Sequence, residues 1–156
     1  MTVRVLFVCL GNICRSPMAE AVFQHRVNEA GLGDSITVDS AGTGSWHVGE
    51  PAHSGTRNVL KKHDIPYNGR ARQLERRDFA RFDYILTMDE SNLRNVERMK
   101  PNDSETVTQR FMDFAPGEAI REVPDPYYDG RFEAVYQLVT AGAEGLLDHI
   151  RQEHDL

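Results

Sequence analysis

The stretch VRVLFVCLGNICRSPMAE, residues 3 to 20, decides the fold of this chain. Its first part, Val3 to Cys9, is an apolar and β-branched run with a single arginine, as in a strand buried on both faces. Ser16 followed by Pro17 predicts a helix start, with the serine as N-cap and the proline at the first helical position. The residues between them therefore predict a loop that connects the carboxyl end of a buried strand to a helix N-terminus.

The rest of the chain repeats this alternation of strands and helices. The first helix keeps the helical spacing of apolar residues until Gly31. Further strands are predicted at 36–40, 84–88 and 106–111, and further helices at 56–63, 76–82, 93–99 and 132–150. This alternation predicts an α/β fold, a three-layer sandwich whose parallel sheet is covered by helices on both faces. Ligands of such sheets bind beyond the carboxyl ends of the strands, where the loop after Cys9 is expected.

Composition predicts one domain spanning residues 1–156. A chain of 156 residues with 40% hydrophobic and 27% charged residues can form a core without disulfides. The longest apolar run, Val5 to Leu10, is too short to span a bilayer, and it lacks the small-residue cleavage site of a secretory signal. We therefore expect a cytoplasmic protein without membrane insertion. The net charge of −6 argues against nucleic acid as a partner.

Two further features of the sequence have simple interpretations. The segment 57–81 is rich in arginine and lysine, which we interpret as the solvated faces of helices rather than as a docking patch. The six histidines and two cysteines show no metal-ligand spacing. We therefore expect neither a metal nor a cofactor.

The segment from Cys9 to Arg15 combines three groups that bind an oxyanion. Cys9 supplies a nucleophile, the five residues after it can turn their backbone N–H groups inward, and Arg15 offers a planar fork that grips two oxygens. Gly11 and Asn12 tolerate the left-handed backbone that such a loop needs. The helix N-terminus and Arg15 together favour the thiolate form of Cys9. The alternative, a buried cysteine near a surface arginine, is disfavoured by the flanking strand and helix. A nucleotide-binding site is disfavoured because the loop lacks the GK[ST] motif.

Five motifs together resemble the low molecular weight protein tyrosine phosphatases. They are VCLGNICRSPMAE at 8–20, DSAGTGSWHVG at 39–49, ARQL at 71–74, FDYILTMDESNLR at 82–94 and DPYYDGRFEAVY at 125–136. The resemblance implies a central four-stranded parallel sheet and a cysteine-dependent phosphomonoester hydrolase that forms a cysteinyl-phosphate intermediate. It also implies that Asp125 is the general acid and that the loop binds phosphate through Leu10, Gly11, Asn12, Ile13, Cys14 and Ser16.

Aryl phosphate hydrolysis requires a proton donor for the leaving oxygen, and the sequence offers two carboxylates. Asp125 stands between two prolines on a stiffened loop, and Asp129 is the second candidate. From the residues alone, Asp125 followed by Pro126 could equally start a turn, and the resemblance decides for catalysis. Ser16 is expected to donate its hydroxyl to the sulfur of Cys9.

Other side chains are expected to support the loop or to surround its opening. The resemblance implies that Asn12 and Ser40 hydrogen-bond each other and brace the loop. Trp46, Tyr127 and Tyr128 are expected at the pocket entrance. Three aromatic side chains on one rim favour recognition of a phenyl ring.

The second cysteine of the loop has two interpretations. Most buried cysteines are small apolar fillers. A thiolate at Cys9, however, is prone to oxidation, and a thiol on the opposite arm of a loop around one phosphate lies within reach of a disulfide. We therefore predict that Cys14 protects Cys9 by forming a reversible disulfide.

Two positions depart from the family pattern. Gly69 stands where animal members commonly have a histidine, so the network that braces the loop must be smaller or differently built. Near His53 the chain reads PAHSGTR where relatives tend to have Asp-Pro-Arg, so the entry into the following helix is expected to differ.

Two other functions fit parts of the pattern. A thioredoxin-coupled arsenate reductase resembles this family in fold and anion loop but needs further cysteines, and none follows Cys14. A non-catalytic phosphoprotein-binding module is disfavoured because Cys9, Arg15 and Asp125 are all present. The expected partners are tyrosine-phosphorylated proteins, with a tyrosine kinase as a further candidate. The chain is expected to be a monomer or to self-associate weakly.

Overall fold

The computed structural model describes residues 2–156, which contain a sheet of four parallel strands. The strands are β1 (Val3–Cys9), β2 (Ile36–Gly42), β3 (Tyr84–Thr87) and β4 (Val107–Arg110), in the order β2-β1-β3-β4. Val8 of β1 lies opposite Thr87 of β3, and Cys9 lies opposite Gly42 of β2. The carboxyl ends of these three strands therefore meet at one edge of the sheet.

Helices cover both faces of this sheet. They are α1 (Arg15–Glu29), α2 (Ser54–Lys62), α3 (Asp78–Arg81), α4 (Glu90–Met99), α5 (Pro126–Asp129) and α6 (Phe132–Glu153), with a 3-10 helix at Phe111–Phe114. Val5 and Phe7 of β1 belong to a core with α1 and α6, whereas Leu6 and Val8 belong to a core with α3 and α4. The predicted α/β sandwich is confirmed. None of the described helices is long and apolar enough to cross a membrane.

Most predicted elements begin or end a few residues from the observed bounds, and three of these differences matter for the sheet or the loop. β2 continues to Gly42, two residues beyond the predicted end. The prediction that Ser16 caps the first helix is wrong, because α1 begins at Arg15 with Cys14 in the N-cap position, and Ser16 lies inside the first turn. Phe111, predicted to end the last strand, begins the 3-10 helix instead.

The basic segment 57–81 is only partly solvated. The guanidinium of Arg72 makes two hydrogen bonds of 3.1 Å to the carboxylate of Asp78, which is 2% exposed. The same guanidinium contacts Asp39 of β2 at 3.1 Å. The interpretation of this segment as solvated helix faces is therefore wrong for Arg72, which links α3 to the edge strand of the sheet.

Candidate active site

The loop after β1 folds back over the sulfur of Cys9. Asn12 has a φ of 56°, the left-handed conformation that was predicted, and its backbone N–H donates to Cys9 Sγ at 3.3 Å. Gly11 does not adopt that conformation, contrary to the prediction. Its missing side chain instead makes room for His47, because an added Cβ would lie 3.0 Å from the imidazole Cδ2.

The backbone amides of this loop are available to a ligand. Within the described residues, no protein group accepts a hydrogen bond from the amides of Leu10, Gly11, Ile13 or Cys14. On the outer side, Ile13 O accepts from the N–H of His53 at 2.7 Å, and Cys14 O accepts from the hydroxyl of Thr56 at 3.0 Å. The N–H of a trans peptide points away from its C=O, so carbonyls that face α2 direct the following amides toward the loop centre. Such a cluster of N–H groups binds anions.

The same outer contacts show how α2 begins. His53 occupies the N-cap position, and its Nδ1 accepts a hydrogen bond from the N–H of Gly55 at 3.0 Å. The imidazole also stacks on Phe132 of α6, with ring centroids 4.9 Å apart. At this helix entry the cap is therefore a histidine side chain.

Arg15 is buried and held from two sides. Its guanidinium is 2.7 Å from Asp89 Oδ2 and 3.6 Å from Asp125 Oδ2, and it donates to the carbonyl of Val123 at 3.0 Å. Burial alone would lower the pKa of Arg15, but the charges of Cys9 and the two carboxylates outweigh it and raise the pKa above its ordinary value. Arg15 is therefore a fixed positive charge beside the sulfur.

Asp125 reaches this guanidinium from a separate segment of the chain. Its Oδ1 accepts a hydrogen bond from the N–H of Tyr127 at 3.0 Å and caps α5, so Asp125 does start a turn of helix. Its Oδ2 is the atom that faces Arg15. Asp129, the second candidate acid, bonds instead to the backbone of Arg131 and does not line the pocket.

Two buried serines and one asparagine lie behind the sulfur. Ser16 Oγ is 3.0 Å from Cys9 Sγ. Asn12 Nδ2 donates to Ser16 Oγ at 2.8 Å and to Ser40 Oγ at 3.0 Å. The Asn12 carbonyl oxygen accepts from the N–H of Arg72 at 3.0 Å. The Asn12 and Ser16 side chains therefore support the loop from behind and do not line the pocket.

Cys9, Arg15 and Asp125 line the same pocket, which has a volume of about 250 Å³. Its floor holds the sulfur of Cys9 and the guanidinium of Arg15, and Asp125 stands at its side. The remaining lining residues come from the loop and the rim: Leu10, Gly11, Ile13, Cys14, Trp46, His47, Tyr127 and Tyr128. Trp46, Tyr127 and Tyr128 are 69%, 53% and 80% exposed, so three aromatic rings remain free to contact a ligand at the entrance.

A comparison of the whole chain with known proteins decides its family. Residues 4–156 match the family model described as low molecular weight phosphotyrosine protein phosphatase. The chain belongs to this family. It is 44% identical to the low molecular weight protein-tyrosine-phosphatase YfkJ of Bacillus subtilis, with 99% of both chains covered. It is 45% identical to PtpA of Staphylococcus aureus, with 99% of this chain and 97% of that one covered.

Solved structures agree with this assignment. The crystal structure of YfkJ matches with a TM-score of 0.94, covering 98% of this chain and 97% of that chain. A structure described as Drosophila arginine phosphatase matches at 37% identity with a TM-score of 0.89, covering 94% and 97%. The resemblance inferred from the sequence motifs is thereby confirmed, and the chain is a cysteine-based hydrolase of the protein-tyrosine-phosphatase type.

In this phosphatase, two residues of the site were not predicted from the sequence. Asp89 holds Arg15, and its other oxygen caps α4 by accepting from the N–H of Asn92 at 2.8 Å. A signal was present, because an aspartate directly after a buried strand lies at the ligand-binding edge of the sheet. His47 lines the rim and pairs with Glu50 at 2.9 Å, and no sequence pattern pointed to it.

Cys14 lies in the loop as a buried thiol. Burial, followed by the charges of Cys9 and Asp125, raises its pKa to about 12, although Arg15 acts in the opposite direction. Cys14 therefore stays protonated at neutral pH and does not compete with Cys9 as a nucleophile.

Gly69 leaves space that another side chain of this phosphatase fills. A Cβ at residue 69 would overlap the hydroxyl of Tyr67. This hydroxyl donates to Glu20 Oε1 at 3.0 Å, and the same oxygen accepts from Ser40 Oγ at 2.6 Å. The bracing network is therefore differently built from that of relatives with a histidine, with Glu20 and Tyr67 at its outer end. No sequence pattern pointed to either residue.

Among the described residues, no cluster of three or more His, Cys, Asp or Glu side chains could hold a metal ion. The charged side chains that line the pocket are Arg15 and Asp125, and Asp89 contacts the guanidinium of Arg15.

Proposed function

We propose that this chain hydrolyses phosphotyrosine and other aryl phosphate monoesters in two steps, with Cys9 as nucleophile, Arg15 as phosphate ligand and Asp125 as general acid and base. The observation that carries this assignment is the convergence of these three side chains on one pocket with an aromatic rim. Their roles follow from the chemistry of each group.

In the first step, the thiolate of Cys9 attacks phosphorus. A sulfur–phosphorus bond forms and the phosphorus–oxygen bond to the aryl group breaks. Asp125 gives its proton to the departing phenolate oxygen. Charge on the three equatorial oxygens is stabilised by the guanidinium of Arg15 and by the free loop amides.

In the second step, water attacks the cysteinyl-phosphate. The carboxylate of Asp125 accepts a proton from that water, and the sulfur–phosphorus bond breaks to release inorganic phosphate. Cys9 leaves as a thiolate, and the hydroxyl of Ser16, 3.0 Å away, donates a hydrogen bond to it. The enzyme returns to its starting state without a cofactor, so we expect full activity in EDTA.

The shape and lining of the pocket support aryl esters as substrates. The reacting sulfur is nearly buried at 3% exposure, and the rim of Trp46, Tyr127 and Tyr128 lies around the opening. A phenyl ring can cross this depth while contacting aromatic side chains, whereas the shorter phosphoserine does not reach the sulfur as easily. One relative is described as an arginine phosphatase, so phosphoarginine is the substrate whose hydrolysis should be compared with that of phosphotyrosine.

Tyrosine-phosphorylated proteins are the physiological substrates that this chemistry supports, and a kinase that modifies them remains a further candidate partner. The cytoplasmic location, a single domain and a monomeric or weakly associating state remain predictions from the sequence.

The leaving group separates the proposed role of Asp125 from a structural one. Asp125→Asn is expected to lower kcat/KM for phosphotyrosine, which reports only the first step, about 100-fold, because a poor leaving group needs the proton. The leaving group of p-nitrophenyl phosphate scarcely needs the proton, so kcat/KM for this substrate is expected to fall less than about tenfold. Equal losses on the two substrates would contradict the acid role. Asp129→Asn is the matched control and should leave both rates unchanged.

A further inference from the structure

The hydrogen bonds behind Cys9 have a defined direction. The carbonyl oxygen of Asn12 is occupied by the N–H of Arg72, so the Asn12 NH₂ group must face the two serines. Each serine oxygen accepts one of its two hydrogens. The hydroxyl hydrogen of Ser16 is then free for Cys9 Sγ at 3.0 Å, because the other acceptor in reach, the carbonyl of residue 41, is 3.5 Å away.

The other serine ends at a carboxyl group. Because Ser40 Oγ accepts from Asn12, its hydrogen goes to Glu20 Oε1 at 2.6 Å. An ionised Glu20 can only accept, and it keeps Ser40 in this orientation. A protonated Glu20 could donate to Ser40 instead, and the Ser40 hydrogen, without this acceptor, would then turn toward the Asn12 NH₂ group, which can only donate. The donor sequence that ends on the sulfur therefore depends on the ionised form of Glu20.

The surroundings of Glu20 make this ionisation costly. Burial raises the pKa of Glu20, and the charge of Asp39 adds to this effect, whereas the hydrogen bonds from Ser40 and Tyr67 and the charge of Arg72 lower it. The balance lies on the raised side. Each donor that Glu20 keeps therefore opposes the effect of burial on its carboxylate.

We propose that Tyr67 is a positioning residue, whose hydroxyl occupies the space left by Gly69 and holds Glu20 as the acceptor that orients Ser40, Asn12 and Ser16 toward Cys9. The proposal rests on the proposed function, in which Cys9 is the nucleophile. Tyr67 does not line the active-site pocket, and it acts on the sulfur through four hydrogen-bonded side chains. Gly69 is needed because a side chain there would displace the hydroxyl.

Tyr67→Phe tests the proposal by the pH dependence of the site. It is expected to lower kcat/KM for p-nitrophenyl phosphate about threefold to tenfold near pH 5.5, and less than about twofold at pH 7.5, as for one lost hydrogen bond to a charged group. The loss is larger in acid because Glu20 without this donor takes up a proton at higher pH. The matched control is Tyr84→Phe, which removes one buried hydroxyl bonded to His154 at the opposite end of the sheet.

A second readout does not depend on phosphatase activity. Alkylation of Cys9 by iodoacetate, localised by fragmentation mass spectrometry, is expected to slow in Tyr67→Phe over the same pH range and to stay unchanged in Tyr84→Phe. If the wild type hydrolyses no phosphate ester, the proposed function fails, but this readout still tests Tyr67. A pH profile for Tyr67→Phe that overlays the wild type in both readouts, or a loss equal to that of Tyr84→Phe, would overturn the proposal.

Two more variants separate positioning from general destabilisation. Glu20→Gln cannot ionise, so adding Tyr67→Phe to it should cause no further loss at low pH. Gly69→Ala should reproduce the acid-side loss of Tyr67→Phe, and the double variant should be no worse than either single variant. Fully additive losses in these cycles would contradict an action through Glu20.

Discussion

At the scale of single residues, Arg15 depends on a partner outside its own loop. Asp89→Asn removes the charge at 2.7 Å from the guanidinium but keeps α4 capped, because asparagine is as good an N-cap as aspartate. We expect kcat/KM for aryl phosphates to fall about tenfold or more, as for one hydrogen bond between charged groups. Steady-state kinetics check this, with Asp129→Asn as the exposed carboxylate control. Equal kinetics for the two variants would show that Asp89 acts only as a cap.

Cys14 leads to a second residue-scale prediction. Mild hydrogen peroxide is expected to inactivate the enzyme through a Cys9–Cys14 disulfide, with bound phosphate slowing the reaction and a thiol reductant restoring activity. Cys14→Ser should stay an active phosphatase but become irreversibly oxidised at Cys9. Mass spectrometry of the treated wild type decides between the two interpretations. Sulfinic acid at Cys9 beside a free thiol at Cys14 would leave Cys14 as an apolar filler.

The sequence predicted two kinds of site residue. Some lie close together in one loop, as Cys9 and Arg15 do, and others, such as Asp125, stand in a motif that resembles the family. The spacing from Cys9 to Arg15 was sufficient because both ends of one short loop carry the chemistry. Asp89, Glu20 and Tyr67 were not assigned because their roles depend on which side chains meet after folding. Tyr67 and Glu20, for example, are 47 residues apart and meet only because a glycine two positions later leaves room for the hydroxyl.

At the scale of elements, the sequence predicted strands and helices better than their ends. The sequence Ser16-Pro17 has the features of a helix start, yet the serine hydroxyl is already used by Cys9 and Asn12, and the helix begins two residues earlier, at Arg15. The turn at Phe111 could not be read from residue types. Its apolar residues continue the strand pattern, but the chain turns into a 3-10 helix, and the Phe111 ring packs on Phe7 of β1 and beside Gly142 of α6.

This contact between the 3-10 helix and α6 can be tested at Gly145. Alanine is a better helix former than glycine by about 1 kcal/mol, so Gly145→Ala would stabilise an isolated helix. Here an added Cβ would overlap the carbonyl oxygen of Phe114, which belongs to backbone and cannot rotate away. We therefore expect a net loss of about 1–3 kcal/mol in the free energy of unfolding, measured by urea denaturation. Gly117→Ala meets no atom within 4 Å and is the control. A gain in stability for Gly145→Ala would show that the two helices can move apart freely.

At the scale of the whole molecule, the sheet order brings the active site together from four separate segments. Cys9 ends β1 and Asp89 follows β3, and these strands are neighbours. The segment that carries Asp125 is attached at the same edge, because Val123 donates its N–H to the carbonyl of Met88 at 2.8 Å and accepts from Arg15. The position of Asp125 is therefore set by the edge of the sheet and not by its own short helix alone.

Arg72 connects stability to this architecture through the buried carboxylate of Asp78. Arg72→Met keeps most of the apolar stem but leaves Asp78, 2% exposed, without the cation that compensates its charge. We expect a loss of about 2–4 kcal/mol in the free energy of unfolding, below the largest values for buried pairs because about a third of the Arg72 side chain is exposed.

The matched control for this loss is Arg77→Met. Arg77 pairs with Glu75, but the two side chains are 62% and 47% exposed, so the change should have little effect on stability. The loop contact of residue 72 is made by its backbone N–H, which the substitution to methionine retains. The folded fraction of Arg72→Met should therefore keep its kcat at pH 7.5, while urea denaturation shows an earlier midpoint with an unchanged slope. Similar midpoints for Arg72→Met and Arg77→Met would mean that the buried pair adds nothing to the stability of the fold.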